Sequence, residues 1–409
     1  MDQQGSNSQR SANLAAIITF VGIVVVLLLI AVLNAPTQGG PRVMSSAGAY
    51  LSAVFDNALP YLGVIAILAV GLGFVAARTV RREWIYPRRR RQMLAGYAFL
   101  SPYLLVTLTF TVGVVLFALY ISFTSYDIFT APEWVGFKHY FEAFSQREFL
   151  QALHNVLWYA ALVVPLQTAA AILMAVLLNA PVKFRQFFRT LFYAPSVTSS
   201  VVITLIFMWF YLKTGYINLV FESLLGIVGA EWQAIDWLRD PRGLMQIILA
   251  PFGVKIPSDQ WYLRGPSIAW MAIMFQNIFT TAPTFMVMFL TALQDINPAL
   301  YEAASIDGAN GWQRFWSVTL PLLRPVILLV VVLGTIGTLQ VFDQVYLATS
   351  GGPLGTTTTP VYQVYVEALG QQGPIHMGYG AALAFIVAVI IFIFTYVQRR
   401  FIERGTEMY

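Results

Sequence analysis

Residues 301–325 read YEAASIDGANGWQRFWSVTLPLLRP and carry Glu302, Asp307, Arg314 and Arg324 in a chain of which only 11% is charged. Glu302 and Arg314 could pair across such a stretch, and Phe315 and Trp316 offer aromatic surface to bury in a socket of another protein. Gly308 permits a chain reversal between two short helix-forming runs, and Pro321 after Leu320 bends the second run by removing a helical hydrogen bond. That chemistry is docking. Catalysis finds little support: there is no cysteine, which excludes disulfides, thiolate metal sites and cysteine nucleophiles, and His139, His154 and His376 stand singly. No nucleophile, base and metal ligand cluster in the apolar runs. A phosphate-binding G-x-x-x-x-G-K-[ST] loop is also missing, since the Lys213-Thr214 pair follows Leu212 where glycine is required. The other polar groups of interest lie inside apolar runs: Gln276, Asn277, Thr280, Thr281 and Thr284 in one, Gln340, Asp343 and Gln344 near the end of another. Uncharged hydroxyls and amides of this kind suit a hydroxylated ligand, and back-bonding to the preceding helical turn is the structural alternative for the threonines. Asp343 is the acid set well inside an apolar run, so it is read as a gate or structural hydrogen bond, with proton coupling as the rival.

The elements that must position these residues are membrane helices. The chain is 58% hydrophobic with a mean hydropathy of +0.69, and a soluble domain would carry roughly 25% charged residues. Uncharged runs of about 20 residues, enough to cross ~30 Å of hydrocarbon as helix, recur along it, and this favours helices over a barrel. Eight spans are expected, at about 14–33, 59–77, 96–123, 155–178, 191–212, 267–293, 326–347 and 378–397, with Pro165 a kink in the fourth. A cleavable leader at the N-terminus is the less favoured reading of the first, whose apolar core is too long. Residues 244–254, LMQIILAPFGV, are too short to cross and are read as an interfacial or re-entrant piece or as a loop-packed helix. The segment IDWLRDP at 235–241 is echoed by WYLRGP at 261–266.

Basic residues set the orientation. Seven arginines fall in residues 78–91, and sixteen of the 24 basic residues lie on the face that also carries both termini, the 179–190 loop and the 301–325 stretch. The positive-inside rule makes that face cytoplasmic, and it accounts for the net charge of +5 without nucleic acid.

Glu302-Ala303-Ala304, then Gly308, then Val318-Thr319-Leu320-Pro321 resembles the EAA signature of membrane subunits of bacterial ABC importers, with valine in place of the usual isoleucine. SFTSYDIF, VGFKHY, KTGYINLV, WLRDP, FDQVYLATSGGP and HMGYGAALAF are similar, in that order, to the sugar-permease branch that includes the maltose and glycerol-phosphate permeases. The resemblance covers about residues 92–400. It implies an all-α membrane protein with the type I ABC importer permease fold: a six-helix core over 93–409, preceded by an N-terminal extension over 1–92 with two spans. It also implies that Glu302, Ala303, Ala304, Gly308, Leu320 and Pro321 couple to a separate ATPase dimer, which binds the ATP and Mg; this chain holds no cofactor. Asn277, Thr280, Thr281, Thr284, Gly337, Thr338 and Val341 would line the substrate pathway. The implied partners are a second homologous permease subunit and an extracytoplasmic sugar-binding protein, in the cytoplasmic membrane of a bacterium or archaeon. The expected function is carbohydrate import by alternating access, with a self-sufficient secondary transporter using Asp343 as the alternative.

Overall fold

The computed structural model describes residues 87–180, 183–257, 260–371 and 373–403, so the first two expected spans lie outside the described residues. The chain divides into two compact units, Met1–Ile121 and Ser122–Tyr409. In the first, helix α1 (Pro87–Val106) passes through a π-helical segment, Thr107–Gly113, into α2 (Val114–Ser122). The two halves of this third span, Ala95–Leu104 and Thr107–Ser122, bend by 43°.

The second unit opens with a small antiparallel hairpin, β1 (Thr124–Ser125) and β2 (Glu133–Trp134). Helices α3 (Lys138–Ser145), α4 (Arg147–Asn179), α5 (Arg185–Val197), α6 (Ser200–Phe210), α7 (Tyr216–Ile227) and α8 (Leu244–Leu249) follow. Next come α9 (Ile268–Asp295), α10 (Pro298–Ile306), α11 (Gly311–Arg314), α12 (Leu320–Leu322), α13 (Arg324–Leu339), α14 (Asp343–Ala348), α15 (Pro360–Leu369) and α16 (Met377–Glu403). Among the described residues four helical stretches are long and apolar enough to cross a membrane: Arg147–Asn179, Ile268–Asp295, Arg324–Ala348 and Met377–Arg400. The bent pairs bring the number to at most six, so the expected count of eight is reached only with the spans outside the described residues. The fifth expected span is not a straight helix. It breaks between α5 and α6 with a turn of 96°, next to Pro195 and the Ser/Thr-rich run that follows it.

The core sits where α4, α9 and α13 meet. Ala171 and Ala175 on α4, Met286, Phe289 and Leu293 on α9, and Leu323 and Val330 form one apolar cluster with helical spacing. Small residues on α4 allow α9 to approach closely, which is how helices pack when lipid removes the hydrophobic drive between them. A second cluster near the opposite end joins Val156, Tyr159 and Val163 to Trp270, Ile273, Leu339 and Val345. Trp270 is fully buried, packs on Tyr159 with the rings tilted and their centroids 4.6 Å apart, and donates from Nε1 to the Asn155 carbonyl at 2.8 Å. The loop before α15 is clasped to α4 at this end, with Asn155 Nδ2 donating to the carbonyls of Gly355 and Thr358.

Residues 244–249 form the short helix α8, packed in a loop rather than crossing. The chain just after the first echoed segment runs beside the end of the second: the Leu244 and Met245 amides donate to the Pro266 and Arg264 carbonyls, and the Ile268 amide to the Arg242 carbonyl. Gly243 is needed at their crossing, because a Cβ there would lie 2.2 Å from the Arg264 carbonyl oxygen. Burial pushes the nearby Asp240 carboxyl up, but the hydrogen bonds from Arg242 outweigh this and hold it below the ordinary carboxylate range. Asn218 organises the rest of this segment. Its Nδ2 donates to the carbonyls of Leu212, Lys213 and Ile235, and its Oδ1 accepts from Trp232 Nε1 and the Ile235 amide. Replacing Asn218 with alanine is expected to cost about 2–3 kcal/mol, because it strands buried donors and acceptors. Hydrogen exchange should then rise selectively at residues 228–240 while α4 and α9 stay protected; uniform protection would refute the hub role.

Candidate functional site

Two features carry chemistry, and they lie on the same long helices. The first is a cavity of about 320 Å³ at the break between α5 and α6. Pro195, Ser196, Thr198 and Ser200 supply one wall from the break itself, Gln276, Thr280, Thr281, Thr284 and Phe285 supply another from α9, and Gln344 closes it from α14. Thr280, Thr281 and Thr284 are thus brought together as the i, i+4 spacing implies. Asn277 does not line the cavity: it is nearly buried one turn behind Thr281, which donates to its carbonyl at 2.8 Å. The residues expected on the seventh span do not reach the cavity either. Val341 packs in the apolar cluster with Tyr159 and Trp270, Thr338 is buried and donates to the Thr335 carbonyl, and Gly337 is exposed elsewhere. A helix break at 340–342 ends α13 and starts α14, and Gln344 on α14 is the residue of this span that lines the cavity. Asp343 is exposed as the first residue of α14, a position where a carboxylate complements the free amides of a helix start.

Hydrogen bonds behind the wall fix its side chains. Gln276 Nε2 donates to Thr204 Oγ1 at 2.6 Å, tying α9 to α6. Thr281 Oγ1 lies 2.7 Å from Gln167 Oε1 on α4, and Gln167 is wedged against α13 at Gly334. The sequence had Gln276 and Gln344 in view but not Ser196, Thr198 and Ser200. Pro195 and the run SVTSS were the available signal of a break.

The second feature is the hairpin at the far end of α9. Asn297 caps α10, Gly308 ends it at φ +81°, and the Ala309 amide donates back to the Ala304 carbonyl, closing the turn expected of a left-handed glycine. Asn310 and Gln313 then cap α11 reciprocally. A π-helical segment, Phe315–Thr319, leads to α12, and Tyr301 OH pairs with the Thr319 hydroxyl at 3.0 Å to fasten the two arms. Glu302 and Arg314 do not pair: Arg314 donates to Ser305 Oγ at 2.9 Å, a shorter reach across the turn, and Glu302 is exposed. The aromatic surface stays open, as expected of a docking element: Trp312 is 70% and Trp316 51% exposed, with Phe315 stacked on Trp312 and Trp316 edge-on to it. Leu320 and Pro321 are half-buried, and Leu323 beyond them is anchored in the core. Displacing this hairpin therefore pulls directly on α9 and α13. On the same side Arg185 donates to the Leu178 carbonyl and to Asn179 Oδ1, capping the end of α4.

Residues 167–406 match the family of binding-protein-dependent transport system inner membrane components. A probable ABC transporter permease protein of Bacillus subtilis is 33% identical over 310 residues, 75% of this chain and 89% of that protein. The trehalose/maltose transport system permease protein of Thermococcus litoralis is 29% identical, over 75% of this chain and 93% of its own. The arabinooligosaccharides transport system permease protein of Halalkalibacterium halodurans is 30% identical, over 79% and 92%. In fold the chain is similar to a bacterial ABC transporter involved in import of the acidic polysaccharide alginate, with a TM-score of 0.59 and 22% identity over 80% of this chain and 98% of that one. Cavity, hairpin and these likenesses agree: the chain belongs to the binding-protein-dependent transport system inner membrane component family and is a multi-pass permease subunit of an ABC importer, a transport component and not an enzyme.

Proposed function

We propose that this subunit carries an uncharged di- or oligosaccharide across the cytoplasmic membrane by alternating access, driven by an ATPase dimer that docks on the 301–325 hairpin. The observation that carries the reading is the hairpin itself: an exposed, glycine-turned pair of short helices, capped and cross-braced, that presents Trp312, Phe315 and Trp316 and is rooted through Leu323 in the core. Glu302, Ala303, Ala304, Gly308, Leu320 and Pro321 form its body and transmit closure of the nucleotide dimer, where ATP and Mg are bound. Thr280, Thr281 and Thr284 line the pathway with Ser196, Thr198, Ser200 and Gln344. A second, homologous permease subunit completes the pathway, and an extracytoplasmic sugar-binding protein delivers the ligand; among relatives, names include trehalose/maltose, lactose and arabinooligosaccharide transport. Both termini are cytoplasmic, as the basic residues indicate.

The test is the energy source. In vesicles holding the assembled complex and its binding protein, uptake of a labelled oligosaccharide is expected with ATP and to be absent with a pH gradient alone. Uptake by this chain alone, driven by a pH gradient and lost in Asp343→Asn, would instead support a secondary transporter.

A further inference from the structure

Helix α5 and the residue before it carry an apolar stripe that is left exposed. Phe184, Phe187, Phe188, Leu191 and Phe192 recur at i, i+3, i+4, i+7 and i+8, the period of one helix face, and all five are open, Phe184 at 78%. Just before it, α4 ends at Asn179, and Leu173 and Leu177 in its last two turns are exposed on a helix that crosses the membrane. Acyl chains therefore reach the level at which α5 begins.

Two arginines edge the stripe. Arg185 and Arg189 lie four apart, so they share one side of α5, next to Phe188 and Phe192. Arg185 is partly engaged, its Nε donating to the Leu178 carbonyl at 2.6 Å and its Nη2 to Asn179 Oδ1 at 3.1 Å. In Arg189 both Nε and Nη2 are shielded from water, and neither has an acceptor. Residues 179–190 contain no acid, and among the described residues no carboxylate pairs with either arginine. A guanidinium with two shielded donors calls for an acceptor, and two like charges one helical turn apart repel unless an anion joins them.

We propose that Arg189, with Arg185, holds the phosphate of an anionic phospholipid whose acyl chains run along the Phe187–Leu191 stripe, in the leaflet where α4 ends. The donors left over on Arg189, Nε and Nη2, are the side-on fork that meets two phosphate oxygens at once. A soluble anion would satisfy the fork but leave the apolar stripe in water; a phospholipid satisfies both. The lipid then sits on the helix whose last turn brings Pro195 and Ser196 to the cavity, so the headgroup composition of the membrane bears on how the break between α5 and α6 is held.

The chain has no cysteine of its own, so Phe187→Cys carrying a benzophenone keeps an aromatic group on the stripe and reports from that one place. The assembled complex is placed in nanodiscs of equal phosphatidylglycerol and phosphatidylcholine, illuminated, and the adducts on this chain are identified by mass. Adducts with phosphatidylglycerol are expected to exceed those with phosphatidylcholine about tenfold, and only about twofold once Arg189→Gln is added, the loss due to one basic group at an anionic surface. Arg189→Lys, which keeps the charge and loses the fork, should fall between, and it carries the test should the glutamine variant fail to assemble. The same lipid ratio with and without the Arg189 substitution would overturn the proposal. Added inorganic phosphate separates the two sources of a phosphate group: an unchanged ratio is expected, whereas collapse of the preference would assign the fork to a soluble anion and overturn the lipid. Adducts formed chiefly with another subunit would show that a protein covers the stripe and would overturn it equally.

Discussion

Gly308→Val is expected to cut ATP-driven uptake about tenfold or more while the chain remains inserted and assembled, since ~1.4 kcal/mol is a factor of ten. Gly308 holds φ at +81°, and nothing lies within 4 Å of where a Cβ would be, so crowding is not the problem. The cost is conformational: a side chain in the left-handed region costs about 1–2 kcal/mol, and a β-branched one fits there worst. The turn would relax, the Ala309-to-Ala304 bond would open, and Trp312 would no longer be presented at a fixed angle to α10. A graded series separates this from loss of contact area. Gly308→Asn should stay near wild type, because asparagine tolerates the conformation, Gly308→Ala should fall between, and valine should be worst. ATP hydrolysis should persist in the valine variant without matched uptake. Wild-type uptake in Gly308→Val, or an order that follows side-chain volume alone, would remove the coupling role.

The second large effect is expected at Gly334, inside α13. Alanine in a helix interior ordinarily stabilises by about 1 kcal/mol over glycine. Here a Cβ would lie 2.4 Å from Gln167 Nε2, and Gln167 is only 1% exposed, with no room to swing out. Overpacking of this kind costs about 1–3 kcal/mol, so Gly334→Ala should destabilise the complex in spite of propensity. Pushing the amide also disturbs the 2.7 Å contact between Gln167 Oε1 and Thr281, a cavity residue, so half-saturation for uptake should rise together with the loss of stability. Gln167→Ala makes the space back, and Gly334→Ala combined with Gln167→Ala should melt higher than Gly334→Ala alone, a coupling of about 1 kcal/mol or more. Additive effects in that double-mutant cycle would show that the two residues do not share the space.

What the sequence determined by itself is whatever depends on local length, period and backbone freedom. Runs of about 20 apolar residues located α4, α9, α13 and α16, because crossing hydrocarbon demands that length of any helix. Gly308 and Pro321 announced the hairpin, because no other residue types make those backbone states cheap. The i, i+4 spacing of Thr280 and Thr284 put them on one face wherever α9 packs. Tertiary structure decided the rest. A break just after Pro195, between α5 and α6, turned the fifth span by 96° at the cavity, and Pro195 alone could not say whether a helix would kink, break or run on, as α4 runs on through Pro165. On the seventh span, packing around Tyr159 and Trp270 took Val341, Thr338 turned to the Thr335 carbonyl, and Gln344 beyond the helix break reached the cavity. Arg314 took Ser305 in place of Glu302 because a flexible side chain bonds to whatever the turn brings nearest. The threonines, too, were told apart only in three dimensions: their types allowed them to donate or accept, and the neighbouring carbonyls and Gln167 take the protons of Thr280 and Thr281.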